Sequence, residues 1–251
     1  MQGVPGLSAY EIYLKYYPGY EGDERAWHYD LIWNQLALTV TFNTGLGDPD
    51  VVIETMKGAV LSVEEPVRDG YLFLGWGIDG FELFDMESPI THNMTLIAVW
   101  LELNLFNVLS LSEEHTIFFK YLEDIGHGAL LGAAWFNYTV FAPTNAAFYA
   151  LAEEMEVELE DLFETLSLVD VMNHHLSSTV YLKQELIDAV DAGFPQIVME
   201  SMSMVTVATV IPPEGGLLVT VDDIVIVEAD ILATNGVIHV IERLLLPPSI
   251  E

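Results

Sequence analysis

The chain has 251 residues, of which 52% are hydrophobic, and carries 39 acidic side chains against seven basic ones, for a formal net charge of −32. That is material for one large or two to three small domains with a substantial core, and it excludes an intrinsically disordered chain. A surface this negative repels phosphate backbones and anionic headgroups, which sets aside nucleic-acid binding and membrane-surface attachment.

There are no cysteines, so disulfides and Cys-ligated zinc or iron–sulfur centres are excluded, although the compartment is not thereby identified. The longest apolar run, Gly128 to Phe136, is far short of the roughly 18 residues of a membrane span. No leader-like stretch is visible, so an exported form is expected to carry its leader outside this sequence.

Residues 1–37 read as a short helical segment. Ser8 with Glu11 makes a capping box, and Ala9, Ile12, Tyr13 and Tyr16 recur near helical spacing. Pro18-Gly19 breaks the pattern, and Gly22 or Asp23 starts a second helix carrying Trp27, Leu31 and Trp33. The wording from Ser8 to Trp27 resembles a small helical motif of bacterial surface and phage-tail proteins. As residue chemistry alone it is a two-helix spacer.

Residues 38–101 change to strand-like patterning. Leu38–Phe42 and Val51–Thr55 are strands, with a loop at Gly45–Pro49 and a turn at Lys57-Gly58. Met94, Leu96, Ala98 and Trp100 fall on one face at period two. Two strings, Gly70-Tyr71-Leu72-Phe73-Leu74-Gly75-Trp76 and Pro89-Ile90-Thr91-His92-Asn93-Met94-Thr95-Leu96-Ile97-Ala98-Val99-Trp100, resemble the Listeria–Bacteroides repeat, the internalin B-repeat-like module of cell-wall proteins. The resemblance implies a β-grasp-like fold. Trp76 and Trp100 could stack on a sugar, but a small sheet with few other large apolar residues needs them in its core, and that reading is preferred. Leu101–Asn104 is expected to be a linker.

Residues 105–248 mix helices and strands. Leu105–Leu109 is a helix-like cluster. Ser112 is a candidate N-cap for a helix with Ile117, Phe118, Tyr121, Leu122 and Ile125 on one face, ended by Gly126. Tyr138–Phe141 is a buried strand, and Thr144 or Asn145 caps the next helix. Glu153–Glu164 carries seven acids and no base. Its spacing does not follow a Ca²⁺ loop, so a solvated face is preferred to a metal site. Leu168, Val171, Met172 and His175 share a helical face, pointing His175 inward beside His174. The remainder is strand-rich, with turns at Pro212–Gly216 and Asp222-Asp223, closing on Val227–Ile241, a strand–turn–strand with its turn at Asn235-Gly236.

Two strings carry a resemblance here. Thr139-Val140-Phe141-Ala142-Pro143-Thr144-Asn145-Ala146-Ala147-Phe148 and the Val227–Ile241 run around His239 closely resemble the two signatures of the fasciclin domain, an extracellular adhesion module. The chain as a whole is therefore expected to be a multidomain α+β protein: a helical segment, a β-grasp-like repeat, and a fasciclin β-sheet wedge with helices. In that family a Tyr-His pair stands where this chain has His174-His175, so the tyrosine is replaced. The family also links an Asp-Ile pair to receptor binding. Carried over, that makes Asp230 and Ile231, with the neighbouring Glu228, the candidate partner-binding residues. The competing reading is that Asp230 caps a turn and Ile231 packs inward.

No phosphate loop, serine elbow or H-E-x-x-H string occurs. His174, His175 and His239 fit buried hydrogen bonds better than a metal site or catalysis. The resemblance implies a non-enzymatic, monomeric surface or secreted adhesin that needs no cofactor or metal and binds an extracellular protein or glycan. A structural stalk and a carboxylate-dependent glycan hydrolase are the alternatives.

Overall fold

Alternating β-branched runs become strands, and runs with apolar side chains every third or fourth residue become helices, as the periodicities require. The computed structural model describes residues 11, 14, 21–28, 37–213 and 215–248. The helix expected from Ser8, with Ala9, Ile12, Tyr13 and Tyr16, lies outside these residues apart from positions 11 and 14, as do Leu31 and Trp33. Residues 24–28 are helical, and Asp23 starts the turn, its Oδ1 accepting from the Ala26 N–H at 2.7 Å. The described chain divides between Trp100 and Leu101 into two compact units, with Arg68–Leu72 counted in the second.

The first unit is a five-stranded mixed sheet of β1 (Ala37–Asn43), β2 (Val51–Met56), β3 (Tyr71–Ile78), β4 (Glu82–Leu83) and β5 (Met94–Glu102). Their order is β2-β1-β5-β3-β4. β1 pairs with β2 antiparallel and with β5 in parallel, setting Val40 against Met94 and Phe42 against Leu96. One face buries Val40, Phe42, Trp76, Ile90, Leu96 and Ala98. Trp76 meets Phe42 edge-on at 4.9 Å, and Phe73 bridges Trp76 and Trp100 at 5.4 Å each. Such pairs add about 0.5–1.5 kcal/mol beyond their burial. The tryptophans are thus not short of large neighbours, as the sequence reading had it. The Trp100 Nε1–H donates to the Thr44 carbonyl at 3.0 Å, which satisfies its one polar atom. Half of the expected linker is strand: β5 runs on to Glu102, and Asn104 is already the N-cap of the next helix, accepting from the Asn107 N–H at 2.9 Å.

The second unit is mixed α+β. Its helices are α1 (Leu105–Ser110), α2 (Thr116–Asp124), α3 (Gly128–Leu131), α4 (Asn145–Glu154), α5 (Leu162–Thr165), α6 (Leu168–Asn173) and α7 (Lys183–Asp191). Its strands are β6 (Tyr138–Pro143), β7 (Leu176–Ser177), β8 (Gln196–Val198), β9 (Met204–Val210), β10 (Leu218–Val221), β11 (Ile224–Ala233) and β12 (Gly236–Ile241). They form one sheet in the order β7-β6-β12-β11-β10-β9-β8.

The seam of that sheet is β6 against β12. These two pair in parallel from Gly236↔Tyr138 to Ile241↔Pro143. Every residue of β6 is buried, and its alternation divides two cores. Val140 and Ala142 face a helical core with Phe118, Leu122, Phe148 and Met172, while Phe141 faces a second core with Leu186, Ile197, Val205 and Val219. A strand covered on both sides reads as a continuous apolar run, and Val140-Phe141-Ala142 is one.

Several local expectations are refined. Thr144 caps α4, accepting from the Ala147 N–H, whereas Asn145 reaches across to accept from the Ile117 N–H at 2.9 Å and donate to the Glu113 carbonyl at 2.9 Å. Ser112 makes no capping bond; it precedes a single 3₁₀ turn, and its hydroxyl meets His115 Nδ1 at 2.7 Å. The strand-rich remainder also holds a nine-residue helix, α7. Leu182 at its start has no capping side chain. The missing cap comes from Glu185, whose Oε2 accepts from the Leu182 N–H, and from the distant Asp230.

Candidate binding surface of the second unit

The signature residues converge on the segment between Thr179 and Lys183. Thr139, buried in β6, donates its hydroxyl to the Thr179 carbonyl at 2.8 Å and accepts from the Tyr181 N–H at 2.8 Å. His239 of β12 donates from Nε2 to the Tyr181 carbonyl at 2.8 Å, and its Nδ1 accepts from the Asp230 N–H at 3.3 Å. Asp230 Oδ1 then accepts from the Lys183 N–H at 2.7 Å, at the start of α7.

Asp230 can do this because β11 is bulged. Its register with β12 shifts between Ile226, Glu228 and Ile231, and Asp230 takes φ +60°, a conformation Asp tolerates better than most residues. The sequence reading of a plain strand from Val227 missed the bulge, since the alternation of residue types continues through it.

Two further signature positions brace the helices. Buried Asn235 accepts from the Leu105 N–H at 2.8 Å and donates to the Leu131 and Ala133 carbonyls at 2.8 and 3.2 Å, which fastens α1 and α3 to the β11–β12 turn. Gly236 has φ +155°, and a Cβ there would collide with the Tyr138 carbonyl oxygen and lie 2.9 Å from a Leu105 methyl. Only glycine allows β6 and β12 to approach this closely.

His175 is fully buried. Its Nδ1–H donates to the Val171 carbonyl at 2.8 Å and its Nε2 accepts from the Leu245 N–H at 3.0 Å, tying α6 to the segment after β12. Both nitrogens of His175 and of His239 are used by backbone. Burial holds the pKa of His239 below its ordinary value and pushes that of His175 down to about 3. His174, also buried, meets the hydroxyls of Ser201 and Ser203 at 2.8 and 2.7 Å through Nδ1, and burial lowers it too.

Of the candidate partner-binding residues, Glu228 is exposed, Asp230 is exposed with its carboxylate engaged by α7, and Ile231 is half-buried against the helical core. Phe141 and Ala142 are buried, as is Pro143 at the end of β6.

Two concave recesses lie beside α4, and the second of them includes Glu228. A recess of about 690 Å³ has Ala147, Ala150, Leu151, Met204, Ile224 and Leu246 among its walls, with Glu154, Asp222, Asp223 and Arg243 as its charged residues. A second, of about 460 Å³, lies among Ala146, Ala150, Val227 and Val240, with Glu114, Glu228 and Glu242. Ala150 lines both. Beside the second recess His115 is buried, and its pKa is lowered by that burial against the opposing pull of Glu114 and Glu228. Glu114, Ala150 and Glu242 belong to three separate segments, none with a motif of its own, so of this surface the sequence reading named only Glu228 as partner-binding, alongside the signature residue Thr144. Among the described residues no cluster of three or more His, Cys, Asp or Glu could hold a metal ion.

This α+β architecture agrees with the family model: the fasciclin domain matches residues 113–247, and the chain belongs to that family. Among relatives, it is 34% identical over 113 residues to pig transforming growth factor-beta-induced protein ig-h3, covering 45% of this chain and 15% of the relative. To human periostin it is 30% identical over 112 residues, 44% of this chain and 12% of the relative. The chain thus spans only a small part of the length of these relatives. A solved FAS1 domain pair from the insect cell adhesion molecule fasciclin I superposes with a TM-score of 0.50 at 16% identity, over 63% of this chain and 57% of that one. At that identity the likeness speaks for the fold alone.

Proposed function

We propose that this protein is a non-enzymatic adhesion protein of the cell surface or extracellular space, whose fasciclin unit binds an extracellular protein or glycan. The observation that carries the reading is the fasciclin match over residues 113–247. The buried histidines support it, since the pKa values of His115, His174, His175 and His239 are lowered first by burial, and each ring bonds to backbone or serine. Both ring nitrogens of His175 and His239 are held by backbone, which fits structural roles, while Nε2 of His115 and of His174 is buried without a partner among the described residues. Among the described residues no helix is long and apolar enough to cross a membrane.

The first unit, residues 38–101, is proposed to be a cell-wall-type repeat of β-grasp-like form that presents the fasciclin unit. The parallel β1–β5 pair at the centre of the order β2-β1-β5-β3-β4 supports that reading. A bacterial surface protein is the source this pairing of modules favours.

The test is binding of the whole chain to a panel of extracellular-matrix proteins and glycans at physiological ionic strength. Saturable binding to a panel member is expected. A chain that is folded by its unfolding transition yet binds nothing in the panel would mean a structural stalk instead.

A further inference from the structure

We infer that the two recesses flanking α4 form one continuous docking groove, and that its occupant is a basic segment of a partner protein, with Lys or Arg side chains flanking small apolar anchors. This rests on the adhesion reading above and specifies the partner's chemistry.

Continuity comes from Ala150, an exposed residue on α4 that lines both recesses. Apolar side chains line both recesses, Leu151, Met204 and Ile224 in the first and Val227 and Val240 in the second, interspersed with Thr206 and Thr144. Acidic side chains line both as well: Glu154, Asp222 and Asp223 the first recess, and Glu114, Glu228 and Glu242 the second. The single base, Arg243, is already paired with Glu154 at 3.2 Å. The apolar lining residues recover energy from side chains buried against them, while the carboxylates select against any anion.

Charge narrows the occupant. A second copy of this chain would bring another −32 against the same carboxylates, and nucleic acid or an anionic membrane would be repelled in the same way. A bare polyamine would satisfy the carboxylates and leave the apolar lining residues uncovered. A basic peptide with apolar side chains matches both.

The probe is a short synthetic peptide interspersing Lys and Arg with single Leu and Val residues. It is titrated against the whole chain by fluorescence anisotropy at physiological ionic strength, with its Glu-for-Lys/Arg counterpart and spermine as comparisons. Saturable binding of the basic peptide is expected, with neither comparison competing at similar concentration. Replacing Glu114, Glu228 and Glu242 by Gln, or separately Ala150→Trp at the junction, is expected to weaken it at least ~10-fold. The control neutralises three exposed acids outside the groove, Glu123, Glu158 and Glu160, and is expected to change it by less than ~3-fold. All four positions of the groove variants are solvent-exposed or line the recess, and an unchanged unfolding midpoint establishes that the fold is intact.

Equal weakening by groove and control variants, or displacement by spermine alone, would show that diffuse charge does the binding and would overturn the groove. A peptide that fails while a panel protein still binds, undiminished by Ala150→Trp, overturns the groove and leaves the adhesion reading standing. Failure of every probe overturns both.

Discussion

His175 brings pH into the fold. In the unfolded chain it takes up a proton near its ordinary value of 6.5, while in the fold it stays neutral until about 3. Across that window the unfolded state binds more protons, so stability falls as pH falls, at about 1.4 kcal/mol per pH unit from this residue. Above pH 6.5 both states are neutral and it has no effect. Denaturant unfolding from pH 7 to 4.5 is expected to show this slope, and His175→Gln, less stable at pH 7, to lose about one proton's worth of it; identical slopes would exclude the histidine as the cause. Asp230 carries a different expectation. Asp230→Ala removes the α7 cap and puts a less tolerant residue at φ +60°, which should cost about 2 kcal/mol, whereas Asp230→Asn keeps an acceptor and the tolerance and should cost under ~1 kcal/mol. If panel binding is lost in Asp230→Asn at unchanged stability, Asp230 also faces the partner. His175 and Asp230 were both visible in the sequence, one by helical spacing and one by resemblance. Their partners were not, because Leu245 and Lys183 are remote in the chain and no local pattern points to them.

At the scale of elements, legibility followed how locally each one is determined. The β9–β10 and β11–β12 connections were readable from Gly-rich or Asn-Gly turns, and Asp222-Asp223 takes positive φ at both residues, as a two-residue hairpin turn requires. Helix α2 was readable from its apolar face. Helix α7 was not, although Leu186, Ile187 and Val190 do pack inward, because Leu182 gives no start signal and half of its capping comes from another strand. The two-residue β7 and three-residue β8 are too short for periodicity to register. Asn235 shows how much one turn residue can hold across elements: Asn235→Ala would strand the Leu105 N–H and two carbonyls, an expected loss of about 3 kcal/mol by chemical denaturation. A loss below ~1 kcal/mol would show that α1 and α3 are held by packing alone.

For the whole molecule the dominant fact is charge. With −32 spread over a single chain, self-repulsion opposes the compact state, and added salt screens it. Raising NaCl from about 20 to 300 mM is expected to raise the Tm by several degrees, while lowering the groove peptide's affinity over the same range. A Tm that is flat or falling with salt would mean that the acids are too dispersed to strain the fold. Among the described residues there are only two close ion pairs, Lys120–Asp124 and Arg243–Glu154, both exposed. Such pairs contribute little, so among the described residues little charge pairing is left for salt to weaken in compensation.

The β6–β12 seam has a consequence for how this protein comes to exist. Its central strand is sandwiched between two cores, and one whole edge of it is closed only by the last strand of the unit. A growing chain therefore completes β6 well before β12 and must leave one side of it unpaired until β12 has been made, with Val140-Phe141-Ala142 open to neighbouring chains meanwhile. Assembly of the fasciclin unit thus waits on β12. A chain ended before Ile241 is expected to aggregate rather than to fold into a shortened fasciclin unit.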